Sequence, residues 1–462
     1  MDRPEPPRAP LPTGAPIPAT DVENPTSSAA PEPEAAAGPR RMLRALQSRN
    51  YRLYFSGQGV SLVGTWMTRI ATSWLVYRLT GSSLLLGVVS FAGQIPTFIL
   101  APFAGVLVDR VNRHRLLVWT QVLAMLQSFA MAVLALTGLI TVPQVIALSL
   151  FQGLINAFDM PTRQAFLVEM VDRREDLSNA IALNSSLVNG ARLLGPSIGG
   201  ILIAAVGEGW CFFIDGASYL AVIASLMMMR VPRAEAPPRR AGRGLQQMKE
   251  GWNYVTRFSP VRSILLLLAL VSLMGMPYTV LMPVVVREVL HGGPAVLGMM
   301  MAASGVGALC GALYLAQRTT VLGLGRVIVA MAGLFGAGLV AFSFSRVAWL
   351  SAACLVLVGF GMMVQMASSN TIIQTVVSDE MRGRVMSFYS MAFMGMAPFG
   401  GLLAGALAHR IGAPRTVAVS GVACVLAATW FATRLPSLRE VMRPVYREIG
   451  ILPPLEPLEE TA

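Results

Sequence analysis

Five charged side chains stand in stretches of sequence that are otherwise apolar: Arg69, Asp159, Arg163, Arg192 and Asp215. In hydrocarbon each costs ~2.5–3.5 kcal/mol without a partner, so each needs a mate or a use. A guanidinium can hold an anion, and a carboxylate can carry a proton or neutralise a cation. Asp159 and Arg163 are four residues apart, one helical turn, which favours a local ion pair with a gating role over proton carriage. Arg69 and Arg192 either grip an anionic substrate or pair with an acid or carbonyl and set helix packing. Asp215 is the remaining deep acid. It carries a proton or, the favoured reading, neutralises Arg69 from a neighbouring helix. Gln365, Asn370 and Gln374 are the polar residues of a nearly uncharged region further on, and Gln365 and Asn370 join the candidate cavity.

Other chemistry fails on inspection. Gly195-Pro196-Ser197-Ile198-Gly199 fits the G-x-S-x-G hydrolase pattern, but that elbow needs a strand-to-helix turn and a histidine base. Ser197 falls mid-span, and His114, His291 and His409 lie at predicted helix ends. The only lysine, Lys249, precedes Glu250, so the Gly-Lys-Ser/Thr phosphate loop is missing and active transport must draw on an ion gradient. Cys211, Cys310, Cys354 and Cys424 sit in apolar runs without a CxxC pair, as small buried hydrophobes rather than ligands or disulfides. No enzyme activity, metal or cofactor is expected.

These side chains must be positioned by membrane helices. The 462 residues are 54% hydrophobic and only 13% charged, where a soluble domain carries roughly 25% charge. Residues 79–108, 116–158, 263–286, 289–317, 347–378 and 385–409 contain no Asp, Glu, Lys or Arg. About 20 apolar residues cross a bilayer as a helix, so some runs hold two crossings. Twelve helices are predicted, near 52–78, 83–108, 115–138, 142–165, 178–206, 209–230, 262–288, 294–317, 323–344, 347–373, 383–409 and 413–433. They divide the chain into a Pro/Ala-rich, disordered tail (1–39), a six-helix bundle (40–230), a linker (231–261), a second six-helix bundle (262–434) and a C-terminal tail (435–462).

Three markers recur at nearly one offset: Gly105 with Gly311, Asp172 with Asp379, and Gly195-Pro196 with Ala397-Pro398. Duplicated six-helix halves are a transporter architecture. The net charge of +12 is explained by placement. With both termini inside, 29 of the 36 basic residues fall on the cytoplasmic side and five on the other, as the positive-inside rule requires. That charge faces lipid headgroups, so no nucleic-acid partner is implied.

The most specific motif is Gly105-Val-Leu-Val-Asp109-Arg110-Val-Asn112-Arg113-His114-Arg115, in the short loop after helix two. It resembles motif A of the major facilitator superfamily, G-x-L-a-D-r-x-g-r-k/r, with Asn112 in place of the usual glycine and His114 in place of the usual basic residue. The resemblance implies a latch between halves. It puts Asp109, Arg110 and Arg113 near Arg382 and Arg384 at the start of helix eleven, and Asp159 with Arg163 in the same charge relay. Gly190, Gly195, Pro196, Gly199 and Gly200 on helix five resemble motif C of the antiporters, or serve as small-residue packing alone.

Longer stretches resemble the enterobactin-exporter-like, or transmembrane secretion effector, branch over about residues 48–434. They include Gly64-Thr65-Trp66-Met67, Asp159-Met160-Pro161-Thr162-Arg163 and Asp379-Glu380-Met381-Arg382-Gly383-Arg384. The resemblance implies a bacterial inner-membrane exporter of siderophores, drugs or secreted metabolites, coupled to protons and read as a monomer in the lipid bilayer. A proton-coupled uptake symporter and a non-transporting receptor on the same fold are the alternatives. Methionines such as Met299, Met362, Met391 and Met394 suit a pliable apolar binding wall or plain gap-filling.

Overall fold

A computed structural model describes residues 43–108, 110–230, 244–318 and 320–453. The expected 1–39 tail and Asp109 lie outside these residues. The described chain holds twelve long helices and no β-strand. They are α1 (Arg49–Thr80), α2 (Ser83–Val108), α3 (Arg113–Leu136), α4 (Val142–Met170), α5 (Leu177–Val206) and α6 (Glu208–Met227). The second set is α7 (Ser259–Glu288), α8 (Pro294–Ala316), α9 (Leu324–Phe344), α10 (Ala348–Val376), α11 (Asp379–Ile411) and α12 (Ala413–Glu448).

Eleven of the twelve are long and apolar enough to cross a membrane by composition alone. The exception is α1, at 32 residues easily long enough. Two of its polar residues, Gln58 and Ser61, are turned inward and buried, and Gly57 and Gly64 let α6 approach closely. Sequence hydropathy cannot see which face a polar residue occupies, so an inner helix scores poorly where a lipid-facing one scores well.

Packing repeats between the halves. α2 lies against α4 as α8 lies against α10, α3 against α6 as α9 against α12, and α1 against α6 as α7 against α12. The turns match too. Gly207 (φ 90°) makes the one-residue corner between α5 and α6, and Gly412 (φ 85°) makes it between α11 and α12. A side chain there would be strained, which explains glycine at both corners. The halves meet chiefly where α2 packs on α11 and α5 on α8, two contacts that exchange under the repeat.

Three features depart from the sequence expectations. The linker carries an amphipathic helix, Gly244–Arg257, docked on the first turns of α11. α12 runs on to Glu448 instead of stopping near 433, because Leu435, Leu438, Met442 and Tyr446 form one buried stripe at helical spacing. Cys310 is exposed on the flank of α8, whereas the other three cysteines are buried as expected. Single turns of π-helix interrupt α7 at Val271–Gly275 and α11 at Met391–Gly395. They touch each other, with the Ser272 hydroxyl donating to the Phe393 carbonyl.

Candidate functional site

The site begins where α1 crosses α5. A Cβ on Gly195 would lie 2.5 Å from the Trp66 Cβ and 2.8 Å from the Val63 carbonyl, and one on Gly199 would strike Met67. Glycine at both positions therefore lets the backbones touch. That contact brings Arg192 of α5 to the Trp66 indole on α1, its guanidinium carbon 5.7 Å from the ring centroid. Arg69, one turn along α1, stands 4.6 Å from the same centroid. Arg69 is exposed and Arg192 is half-buried, so both keep part of their surface free of protein contact.

Neither guanidinium has an acid partner among the described residues: no carboxylate there lies within ion-pair distance of either arginine. Cation–π contact with a partly desolvated ring supplies ~0.5–2 kcal/mol, less than the ~2.5–3.5 kcal/mol cost of each charge, and the two cations repel. The cluster thus stands as an unneutralised pair of positive charges around one indole. Its balance improves when an anion enters.

Asp215 does not neutralise Arg69. Its carboxylate turns instead into the seam between α6, α1 and α3, where the Ser128 hydroxyl donates to Oδ2 at 2.8 Å. Asp215 is 2% exposed, and an added Cβ on Gly64 would sit 2.7 Å from its Oδ1. Among the described residues that Oδ1 has no well-formed hydrogen bond, and the buried Thr68 hydroxyl of α1 stands beside Asp215 without one either. The sequence places both groups on helices but cannot give the helix rotation that separates Asp215 from Arg69.

Asp159 is fully engaged. It accepts from the Thr120 hydroxyl at 2.8 Å, the Gln121 amide at 2.6 Å and the Arg163 guanidinium at 2.6 Å. The expected i, i+4 pair is present, buried, and braced from α3 by two donors that sequence reading did not single out.

The charges at the arginine-rich end take partners of their own. Arg113 donates to Glu169 of α4 at 2.7 Å, and Arg384 pairs with Glu250 of the linker helix at 2.7 Å. Arg382 pairs with Asp379 in its own first turn at 2.6 Å. Arg110 is exposed, and an added Cβ on Gly105 would meet nothing within 4 Å. Glu169 and Glu250 are therefore two site residues that the motif comparison missed. Their only signal was an acid on the helix adjoining each arginine.

The opposite, arginine-poor end is tightly joined across the halves. Gly200 of α5 faces α8, where an added Cβ would lie 2.6 Å from the Pro294 carbonyl and 2.8 Å from Gly298 Cα. Gly87 of α2 faces Gly401 and Gly405 of α11 in the same way, and the Ser83 hydroxyl donates to the Gly405 carbonyl at 3.2 Å. The Tyr77 hydroxyl donates to Glu288, linking α1 to α7. The helix-five motif thus divides by position. Gly195 and Gly199 seat α5 on α1, Gly200 and the Pro196 carbonyl seat it on α8, and a Cβ on Gly190 would meet open space.

Residues of the second half are placed unevenly. Gln365 is buried and contacts Ser369 of its own helix, and Asn370 accepts from Gln374 one turn on. Met300 and Met362 are core residues, while Met299, Met391 and Met394 are exposed.

Comparison with known proteins agrees with this architecture. A family model described as transmembrane secretion effector matches residues 42–447. The staphyloferrin A transporter of Staphylococcus aureus is 25% identical over 84% of this chain and 97% of its own length. The multidrug efflux pump Tap of Mycolicibacterium fortuitum is 28% identical over 82% of this chain and 93% of its own. Among solved structures, a bacterial homologue of the lysosomal transporter Spinster superposes with a TM-score of 0.64 at 14% identity, covering 88% of this chain and 99% of that one.

Proposed function

The chain belongs to the transmembrane secretion effector family, a multi-pass membrane transporter family, and from that membership we propose that it exports a small organic molecule from the cytoplasm by proton antiport. Alternating access is the mechanism: the bundles of residues 40–230 and 262–434 rock about their shared seam in a monomer. One observation carries this reading. The arginine-poor end is closed by two glycine crossings related by the internal repeat, while Arg69 and Arg192 remain accessible. The positive-inside rule makes the arginine-rich end cytoplasmic, with both termini there. The names of the relatives support a siderophore or drug as cargo.

The energetics suffice. One proton entering down ~150 mV releases about 3.5 kcal/mol, enough for a substrate gradient of a few hundredfold. Asp215 is the proton carrier in this reading. It is buried, is paired with no cation among the described residues, and has one oxygen able to take a proton and donate it towards Thr68.

Energised inverted vesicles with a pH-sensitive dye test the proposal, with a panel of siderophores and lipophilic drugs as candidate cargo. Dequenching by a transported compound is expected. Asp215→Asn should abolish it while sparing counterflow exchange of that compound. Dequenching that survives Asp215→Asn removes Asp215 as carrier, and accumulation indifferent to an uncoupler removes proton coupling altogether. Substrate-stimulated proton movement in the opposite sense would instead indicate an uptake symporter.

Asp109→Asn tests the latch implied by motif A. Loss of one charge-assisted contact should slow export roughly tenfold while the protein still reaches the membrane. Unchanged efflux would sink the latch.

A further inference from the structure

The cargo class can be read from the charge cluster at the α1/α5 crossing. We infer that Arg69 and Arg192 form a two-point clamp for an organic anion carrying two carboxylates, with Trp66 in contact with both guanidiniums. This rests on the reading of the α1/α5 crossing as part of the transport site.

Three observations carry it. First, the two guanidinium carbons lie 4.6 and 5.7 Å from one indole centroid, so they are no farther apart than the sum of those distances. A short flexible dicarboxylate spans such a gap. Second, the described residues place no acid against either arginine, so the donor edges are not already spent on the protein. A guanidinium fork matches a carboxylate bidentately, and among the described residues no hydrogen bond or ion pair occupies either fork. Third, the cluster lies beside the moving seam. Leu193, next to Arg192, packs where α5 meets Gly305 of α8, its side chain 3.2 Å from an ideal Cβ there. An anion tying α5 to α1 at this point sits beside the surface on which the halves slide.

The buried acids do not compete for the clamp. Asp159 is saturated by Arg163, Thr120 and Gln121, and Asp215 faces Ser128 in a different seam. A cationic cargo would find two like charges at the crossing and no carboxylate to receive it.

The test measures binding to the purified full-length protein by calorimetry, without a gradient or a direction of transport. The probes are acetate, the straight-chain α,ω-dicarboxylates from succinate to suberate, and tetraphenylphosphonium. One dicarboxylate length should bind at least roughly tenfold tighter than acetate, the yield of a second charge-assisted contact. Arg69→Gln and Arg192→Gln should each erase that advantage, and Arg→Lys at either position should restore part of it. Equal affinity for acetate and every dicarboxylate would overturn the clamp. So would Gln variants that keep the length preference, or tighter binding of the phosphonium than of any dicarboxylate. If a Gln variant fails to fold, the length series on the unsubstituted protein decides alone. Binding can succeed where export fails, so the two readings fall separately.

Discussion

Gly200→Val is expected to abolish export and to open the arginine-poor end of the protein. A Cβ at this position would stand 2.6 Å from the Pro294 carbonyl and 2.8 Å from Gly298 Cα, backbone atoms that cannot rotate aside. Overpacking of this kind costs ~1–3 kcal/mol, and here the cost falls only on the state in which α5 touches α8. Each 1.4 kcal/mol shifts a two-state population about tenfold, so the closed state is depleted without loss of the fold. A cysteine introduced by Ser83→Cys, with the four native cysteines replaced, reports this directly. Ser83 is 7% exposed and bonded to Gly405 across the same end. Its labelling by an impermeant thiol reagent should rise roughly tenfold or more in Gly200→Val. Gly333→Val is the control, because a side chain there meets nothing within 4 Å. Labelling that does not respond to Gly200→Val would show that the glycine crossing is not the closure.

Asp159→Ala should be the most destabilising single change in the first half. It strands the Arg163 guanidinium, only 21% exposed along its side chain, and leaves the Thr120 and Gln121 donors without their acceptor. Breaking a buried pair from one side costs ~3–5 kcal/mol, more than the pair itself contributes, because the remaining charge stays desolvated. The expected result is a clear fall in melting temperature of the purified protein. The double variant Asp159→Leu with Arg163→Met should recover most of that loss, since no charge is then buried. If Asp159 were a proton carrier instead, Asp159→Asn would remove coupling and leave the melting temperature unchanged. Three donors on one carboxylate argue for the structural role.

Both predictions concern residues that were visible in the sequence with the wrong level of detail. Asp159 and Arg163 are legible because one helical turn is a local distance, set by the backbone whatever surrounds it. Thr120 and Gln121 were not, because they come from α3 and reach Asp159 only after α3 packs on α4. The glycines of helix five were read as one motif, yet three of them do two jobs. Gly195 and Gly199 bear on α1 and Gly200 bears on α8, a division set by the angle at which three helices meet. The linker helix was missed for a related reason. Its apolar positions are few, and Trp252 and Gly251 declare their purpose only against Phe388 of α11.

The sequence alone determined what depends on composition and on local period: the run of long apolar helices, most of their approximate limits, the repeated markers and the family. Hydropathy and helical spacing act over neighbouring residues, and a bilayer converts them almost directly into spans. Only the tertiary structure decided which polar group faces which. Asp215 packs against Gly64 on the helix that carries Arg69, but the rotation of α6 turns the acid to Ser128 and leaves the arginine beside Trp66 and Arg192. A rotation of one residue about a helix moves a side chain by roughly 100°, and hydropathy averaged over a span is blind to it. The pairing of charges in a membrane protein is therefore a property of packing, and here that packing sets two arginines against one indole with no acid of the described residues beside them.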